Sequence, residues 1–265
     1  MKEDIDLARA LSIAVNAAEN AGKIINDYYE TKINVRKKEG RDIVSEADIK
    51  AEKAIINILR SNYPDHCYAS EEMGRTKGKN EGIEKYDWII DPIDGTINFV
   101  SGLPLFSTSI ALQENGRTLL GVIYNPLTKE KYTSIIGQGS FLNGRKLNVS
   151  QTYNIADSVF SFMHTSHYNQ IETNKIFEKI IKLGMVSRGL RLYVSQALEL
   201  GFIAEGKLEG TVCIKSRGYS AAAGVLIVRE AGGKATDIYG EEFSNKSTSL
   251  LVTNSAIHEH LLEIL

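Results

Sequence analysis

The stretch Trp88-Ile-Ile-Asp-Pro-Ile-Asp-Gly-Thr-Ile-Asn-Phe99 carries a short apolar run (Trp88, Ile89, Ile90) and two carboxylates, Asp91 and Asp94, into a Gly-Thr turn. An apolar run ending in acids at a turn is how a buried strand presents hard oxygen ligands at its carboxyl end. Such ligands suit Mg2+, which takes carboxylates and backbone carbonyls at about 2.0–2.1 Å. Pro92 removes a backbone donor and fixes φ, so Asp91 is expected to be extended where the strand stops. Gly95 tolerates positive φ and lets a bulky anion approach the backbone. A helix starting at Thr96 would turn its free N–H groups and positive dipole end toward the same space. The plainer alternative is a loop with acidic turn residues, since Asp-Gly is a common turn dipeptide.

Two acidic elements lie upstream. Asp42-Ile-Val-Ser-Glu-Ala-Asp48 leads into a segment whose Ala51, Ile55, Ile58 and Leu59 recur at helical spacing. Ser45 fits an N-cap and Asp48 the third helical position, so Asp48 also reads as the acid of a capping box. Ser70-Glu71-Glu72-Met-Gly74 follows the apolar Cys67-Tyr-Ala. By itself it reads as an acidic loop after an edge strand.

Taken in order, Asp48, Glu71, Asp91, Asp94 and Thr96 resemble the inositol monophosphatase family. These are Mg2+-dependent, lithium-sensitive phosphatases, whose superfamily includes fructose-1,6-bisphosphatases and 3'-phosphoadenosine-5'-phosphate phosphatases. The family pattern D-x-V-[ST]-x-x-D, [GS]-E-E and W-x-[IV]-D-P-[IL]-D-G-T-x-N-F is met here by D-I-V-S-E-A-D, S-E-E and W-I-I-D-P-I-D-G-T-I-N-F. Ser220-Ala-Ala-Ala-Gly-Val-Leu-Ile-Val-Arg-Glu-Ala-Gly-Gly233 is similar to its W-D-x-A-A-G-x-x-[IV]-x-x-E-A-G-G. The resemblance implies an α+β fold, a five-layer α-β-α-β-α sandwich with the site between two halves. Residues 1–150 would carry most metal ligands, and residues 151–265 would form an α/β substrate wall.

The same resemblance implies two or three Mg2+ ions and hydrolysis of a sugar or inositol phosphate monoester. Glu71, Asp91, the Ile93 carbonyl and Thr96 would hold the first ion. Asp91, Asp94 and residue 220 would hold the second. Asp48, Thr96 and Glu71 would orient and activate the attacking water. Asp94, Gly95 and Thr96 would meet the phosphate end of the substrate, and Arg191, Ser195 and Lys215 the rest. A homodimer is implied as well. One departure matters: the chain has Tyr219-Ser220 where the family has Trp-Asp, so the second ion should bind more weakly. Val194-Ser-Gln-Ala197 replaces the family's G-[ST]-A-A, and Cys213 stands where inositol-specific members have a carboxylate. Arg191, Lys215 and Arg217 put positive charge near that wall. This suits a second phosphate, as in fructose-1,6-bisphosphate, or the three are solvated surface groups. Lys37 and Lys38 either soften carboxylate repulsion or line a solvated strand edge. A non-catalytic relative and a 3'-phosphoadenosine-5'-phosphate phosphatase stand as alternatives.

Composition narrows the other classes. In 265 residues, 43% apolar and 24% charged residues are ordinary for a globular protein. A formal net charge of −2 without a basic block points to neither nucleic acid nor an anionic membrane. The charged start Met1-Lys-Glu-Asp-Ile-Asp leads into an amphipathic helix, not a signal peptide, and a cytoplasmic protein is expected. Cys67 and Cys213 are expected as separate buried thiols. His164 and His167 fit a solvated loop or helix end better than a metal site.

Periodicity predicts helices over 4–30 and 46–61, with an exposed strand over 33–38 between them. Strands follow at 88–90, 107–112, 119–124 and 132–136, an antiparallel meander with Asn-Gly turn signals at 115–116 and 143–144. From about residue 155 the rhythm becomes α/β. Strands are expected at 159–163, 185–190, 210–214 and 249–253, and helices at 173–183, 194–205, 220–231 and from 255.

Overall fold

The computed structural model describes residues 5–38, 42–79, 85–163, 169–215, 218–244 and 247–265. His164, His167 and Arg217 lie outside the described residues. Helix α1 (Leu7–Tyr28) starts where the Asp6 side chain accepts the Arg9 amide at 3.0 Å. It buries a face of Ala10, Ala14, Ala17, Ala18, Ala21 and Ile25. These small side chains bring its backbone close to the sheet beneath: a Cβ on Gly22 would lie 2.6 Å from the Tyr124 ring. Strands β1 (Val35–Lys37) and β2 (Ile43–Ser45) pair antiparallel, and β2 runs directly into α2 (Glu46–Asn62). The expected capping box closes that junction, and Ala47, Ala51, Ile55 and Leu59 face the core.

The next segment supplies β3 (Cys67–Ser70), β4 (Gly74–Thr76), β5 (Tyr86–Asp94), the short helix α3 (Thr96–Val100), β6 (Ser107–Glu114), β7 (Arg117–Asn125), β8 (Glu130–Ile135), β9 (Ser140–Leu142) and β10 (Arg145–Lys146). Among the described residues these strands form one sheet in the order β10-β9-β8-β7-β6-β5-β3-β4, with β3 and β5 parallel and the other neighbours antiparallel. Both predicted Asn-Gly turns take left-handed backbone, Asn115 and Gly116 at φ 51° and 83°, Asn143 and Gly144 at 48° and 84°. That pair of angles suits the right-handed twist of the strands they join.

The remainder builds a second sheet from β11 (Val159–Met163), β12 (Gly189–Arg191), β13 (Gly210–Cys213), β14 (Lys234–Thr236) and β15 (Leu250–Thr253), in the order β12-β11-β13-β15-β14. Between them come helices α4 (Gln170–Val186), α5 (Gln196–Ala204) and α6 (Ala221–Glu230), and α7 (His258–Ile264) closes the chain. Helices α1 and α2 cover the outer face of the larger sheet. Helices α5 and α6 fill the space between its inner face and the smaller sheet. Helices α4 and α7 cover the far side. The result is the α-β-α-β-α sandwich.

Three local expectations are corrected. Strand β5 does not stop at Asp91 but continues to Asp94. Residues 185–190 are not one strand: α4 runs on through Val186 and only Gly189–Arg191 pair, a short apolar run being readable either way. The helices expected from 194 and from 255 also begin later, α5 at Gln196 and α7 at His258. Val194 and Ser255 sit at φ 56° and 72°, outside helical backbone, so helical turns start only beyond them.

Behind the smaller sheet, His258 is fully buried between two hydroxyls, Thr236 Oγ1 and Thr253 Oγ1, each 2.9 Å from a ring nitrogen. Burial, helped by Lys234, pulls this imidazole down to about 4. An unfolded histidine titrates near 6.5, so between these values the unfolded chain binds a proton that the folded one refuses. His258 therefore costs stability as the pH falls from about 6.5 toward 4. A His258→Asn variant is expected to melt below the wild type at pH 7.5. The gap should narrow by pH 4.5, read from paired thermal unfolding curves; a constant gap would refute the assignment.

Candidate active site

The site lies where the ends of β3 and β5, the start of α2 and the starts of α5 and α6 meet. Asp91 and Asp94 are three residues apart, and in a plain strand they would point to opposite faces. A β-bulge corrects this. Asp91 pairs with Ser109 and Asp94 with Ser107, so Pro92 and Ile93 together oppose Thr108. Pro92, lacking an N–H, loses no ladder bond in the bulge, and its carbonyl accepts the Thr108 hydroxyl at 2.9 Å. The bulge turns both acids toward the middle helical layer. Ser220 Oγ, at the start of α6, donates to Asp91 Oδ2 at 2.6 Å. Asp94 Oδ2 accepts Ser195 Oγ at 2.6 Å and the Ala197 amide at 2.8 Å, while its Oδ1 accepts the Gln196 amide at 3.1 Å.

The β3 ladder carries Glu71 beside this pair, its amide donating to the Ile90 carbonyl at 3.1 Å. Its carboxylate is 3.0 Å from Lys38 Nζ, which also pairs with Glu72. Glu52 fixes the turn beneath by accepting the Glu72 and Met73 amides at 3.1 and 3.2 Å. From α2, Asp48 Oδ2 accepts the Ser45 amide and hydroxyl at 2.8 and 2.5 Å. Its Oδ1 lies 3.1 Å from Thr96 Oγ1, which is also 3.0 Å from the Ile93 carbonyl. The capping-box and functional readings of Asp48 are thus compatible, one oxygen serving each. Gly95, at φ 92°, is the N-cap of α3.

These acids are buried together, and the electrostatics follow. Burial lifts Asp48 and Asp94 to about 6 and Glu72 to about 7, against the hydrogen bonds that pull each down. Asp91 rises well above the usual carboxylate range, through burial and the charges of Glu71 and Asp94. On Lys38 burial acts downward, but Glu71 and Glu72 outweigh it and hold the ammonium form. Asp91 Oδ1 is buried with no hydrogen-bond partner. A buried carboxylate oxygen without a donor fits a small divalent cation, whose charge would hold the acid ionised. Glu71, Asp91, the Ile93 carbonyl and Thr96 are the residues that could offer such oxygens to one ion. Among the described residues, however, no three acidic, histidine or cysteine side chains gather around one point.

The structure therefore brings Asp48, Thr96 and Ile93 together by direct contacts, joins Asp91 to Ser220, and joins Asp94 to Ser195. The Ser195 hydroxyl, predicted to face substrate, is spent on Asp94 in a fully buried position. Arg191 is exposed on the edge strand β12, its guanidinium donating back to the Leu190 carbonyl at 2.9 Å. Lys215 follows β13 in a partly buried position. Cys213 is a free, buried thiol that burial pushes up to about 12, and Cys67 is likewise free and buried.

Three supporting residues escaped the sequence reading. Glu52 lies one helical turn beyond Asp48, a spacing that was visible. Glu199 is the lone acid in an apolar helical run. It accepts Ser161 and Thr211 hydroxyls at 2.9 and 2.7 Å, and burial raises it to about 7. Asn98, inside the opening motif, donates to the Leu105 and Tyr193 carbonyls at 2.8 and 2.6 Å, tying the segment before α5 to the Gly-Thr turn.

The family model for the inositol monophosphatase family matches residues 6–265. The chain belongs to the inositol monophosphatase family. Within this family it is 37% identical over 232 residues to the Nus factor SuhB of Pasteurella multocida, covering 87% of this chain and 85% of that one. It is 34% identical over 255 residues to the fructose-1,6-bisphosphatase/inositol-1-monophosphatase of Thermotoga maritima, covering 96% and 94%. Among solved structures, the extragenic suppressor protein suhB of Bartonella henselae superposes with a TM-score of 0.91 at 31% identity, covering 97% of this chain and 98% of that one. The inositol monophosphatase family fold is thus shared along the whole length.

Gly95 anchors the geometry. A Cβ there would lie 2.8 Å from the Leu105 carbonyl, on backbone at φ 92°. Gly95→Ala is expected to cost about 1–3 kcal/mol, measured by urea unfolding. An unchanged midpoint would mean that the turn relaxes freely.

Proposed function

We propose that this chain hydrolyses a sugar or inositol phosphate monoester with Mg2+, inositol-1-phosphate and fructose-1,6-bisphosphate being the first substrates to test. The observation that carries the reading is the unpartnered Asp91 Oδ1, buried within electrostatic reach of Glu71, Asp94 and Asp48. Residues 1–150 would supply the acids and residues 151–265 the substrate wall. Glu71, Asp91, the Ile93 carbonyl and Thr96 would hold the first Mg2+. When bound, the ion neutralises phosphate charge and makes water a better nucleophile near neutral pH. Thr96 Oγ1, donating its proton to Asp48 Oδ1, presents a lone pair that accepts a hydrogen from the attacking water and holds it in line. The water oxygen adds to phosphorus as the ester P–O bond breaks; the water gives up one proton, to Glu71 acting as base, and the leaving alkoxide takes up one from solvent. Glu71 lies on the same side, as ligand or base. Gly95 and Thr96 amides would receive the phosphate. Arg191, Ser195 and Lys215 remain the proposed wall, with Ser195 acting through Asp94.

Ser220 on Asp91 favours a second reading, a slow or non-catalytic relative. Relatives in Pasteurella multocida and Escherichia coli carry the name Nus factor SuhB, which names no phosphatase activity. For this chain the net charge of −2 supports a small-molecule substrate over nucleic acid. None of the described helices is long and apolar enough to cross a membrane. A second copy of the chain is the proposed protein partner. Ile181 and Met185, one turn apart on α4, are 60% and 82% exposed, and Leu192, just beyond the edge strand β12, is 55% exposed.

Phosphate release from inositol-1-phosphate, fructose-1,6-bisphosphate and 3'-phosphoadenosine-5'-phosphate, with Mg2+ and with or without Li+, tests the reading. Turnover that EDTA and Li+ suppress, and that Asp91→Asn lowers at least about 100-fold, is the expected result. Silence on all three substrates by folded, metal-saturated protein would favour the second reading. By light scattering, the wild type is expected at dimer mass and the double variant Ile181→Glu, Met185→Glu at monomer mass. A wild-type monomer would remove the partner proposal.

A further inference from the structure

We infer that the carboxylate cluster of this chain holds one divalent ion tightly and has lost the second position, which Ser220 and the first turn of α5 close. The inference rests on the reading that these acids bind Mg2+. It follows from counting oxygen lone pairs, two on each carboxylate oxygen.

Asp91 is asymmetric. Its buried Oδ1 has both lone pairs open, while Oδ2 receives the Ser220 hydroxyl at 2.6 Å. Asp94 is nearly spent. Its Oδ2 takes two donors, Ser195 Oγ and the Ala197 amide, and its Oδ1 takes the Gln196 amide. An ion seated between Asp91 Oδ2, Asp94 and residue 220 would meet one open lone pair on each carboxylate, and at Ser220 a neutral hydroxyl whose hydrogen is already aimed at Asp91. Divalent affinity is set largely by the number of charged ligands, and this position has two partly used ones. The first position keeps Asp91 Oδ1, a Glu71 oxygen, the Ile93 carbonyl and Thr96. Ser220 is then a positioning residue: it fixes one Asp91 oxygen so that the other stays free for the single ion.

Mn2+ is the probe, because calorimetry counts it and paramagnetic resonance reports pairing of two ions about 3.5–4 Å apart. The wild type should bind one equivalent with an uncoupled hyperfine spectrum up to millimolar Mn2+. Ser220→Asp should bind two equivalents with an exchange-coupled signal, its second ion at least about tenfold tighter than any weak second event in the wild type. Ser220→Ala, which removes the donor without adding a ligand, should still bind one. Two equivalents of comparable affinity and a coupled spectrum in the wild type overturn the inference while leaving the phosphatase reading intact. No binding in folded wild type overturns both. A folded Ser220→Asp variant that stays at one equivalent overturns the assignment to Ser220.

Discussion

Burying several like charges beside one another is the constraint around which this molecule is arranged. Asp48, Asp91 and Asp94 are almost without solvent contact, and each would be untenable if left without donors or a counter-charge. The fold answers acid by acid, drawing on a different element each time. The β2–α2 junction cradles Asp48, the first turn of α5 cradles Asp94, Ser220 of the α6 start steadies Asp91, and Lys38 of the first hairpin offsets Glu71 and Glu72. What is left over is a deficit of positive charge at one buried oxygen, and that deficit is the physical ground of the proposed cation site.

Two elements beyond the acids keep this arrangement stiff. The bulge in β5 gives the acids a common direction that an unbroken strand could not. Opposite it, Val194 holds left-handed backbone at φ 56°, unusual for a β-branched residue. Its neighbour Tyr193 is gripped at the carbonyl by Asn98, a residue of the same motif that carries Asp91 and Asp94. Strain of this kind persists only where surrounding contacts over-determine it, and here the contacts belong to the site. The segment entering α5 is thus tensioned against the very turn whose acid it caps.

The sequence disclosed those parts whose physics is local. The Ser45–Asp48 box, the helix beginning at Thr96 after a positive-φ glycine, the Asn-Gly hairpins and the helical stripes of α1 and α2 depend on residues a few positions apart, and their spacing was enough. The order of the acids sufficed to name the family, and with it the layered fold. What stayed hidden depends on distant partners. The bulge is a relation between β5 and β6, so Asp91 was expected at a strand end and proved to lie within one. Ser195 and Asp94 are 101 residues apart, so nothing near Ser195 announced that its hydroxyl would turn to an acid instead of toward a ligand. Glu199 could be seen as an odd residue in an apolar helix, but its hydroxyl partners lie on β11 and β13.

The middle helical layer has a consequence for how the chain is made. Ser220 reaches Asp91 across 129 residues, and the inner face of the larger sheet, with Ala111, Ile123 and Tyr132, packs against helices that follow residue 195. A ribosome delivers the N-terminal half first. Until the later helices dock, that half carries a sheet with an apolar face open to water, and Asp91 and Asp94 without the donors that the starts of α5 and α6 supply. Contacts this far apart are also the slow ones to form. One closing event therefore buries the exposed face and supplies the missing hydrogen bonds together. The site is completed at the end of folding, and any accident that arrests synthesis or docking before then leaves a sticky and over-charged intermediate, the kind of species that chaperones hold and proteases clear.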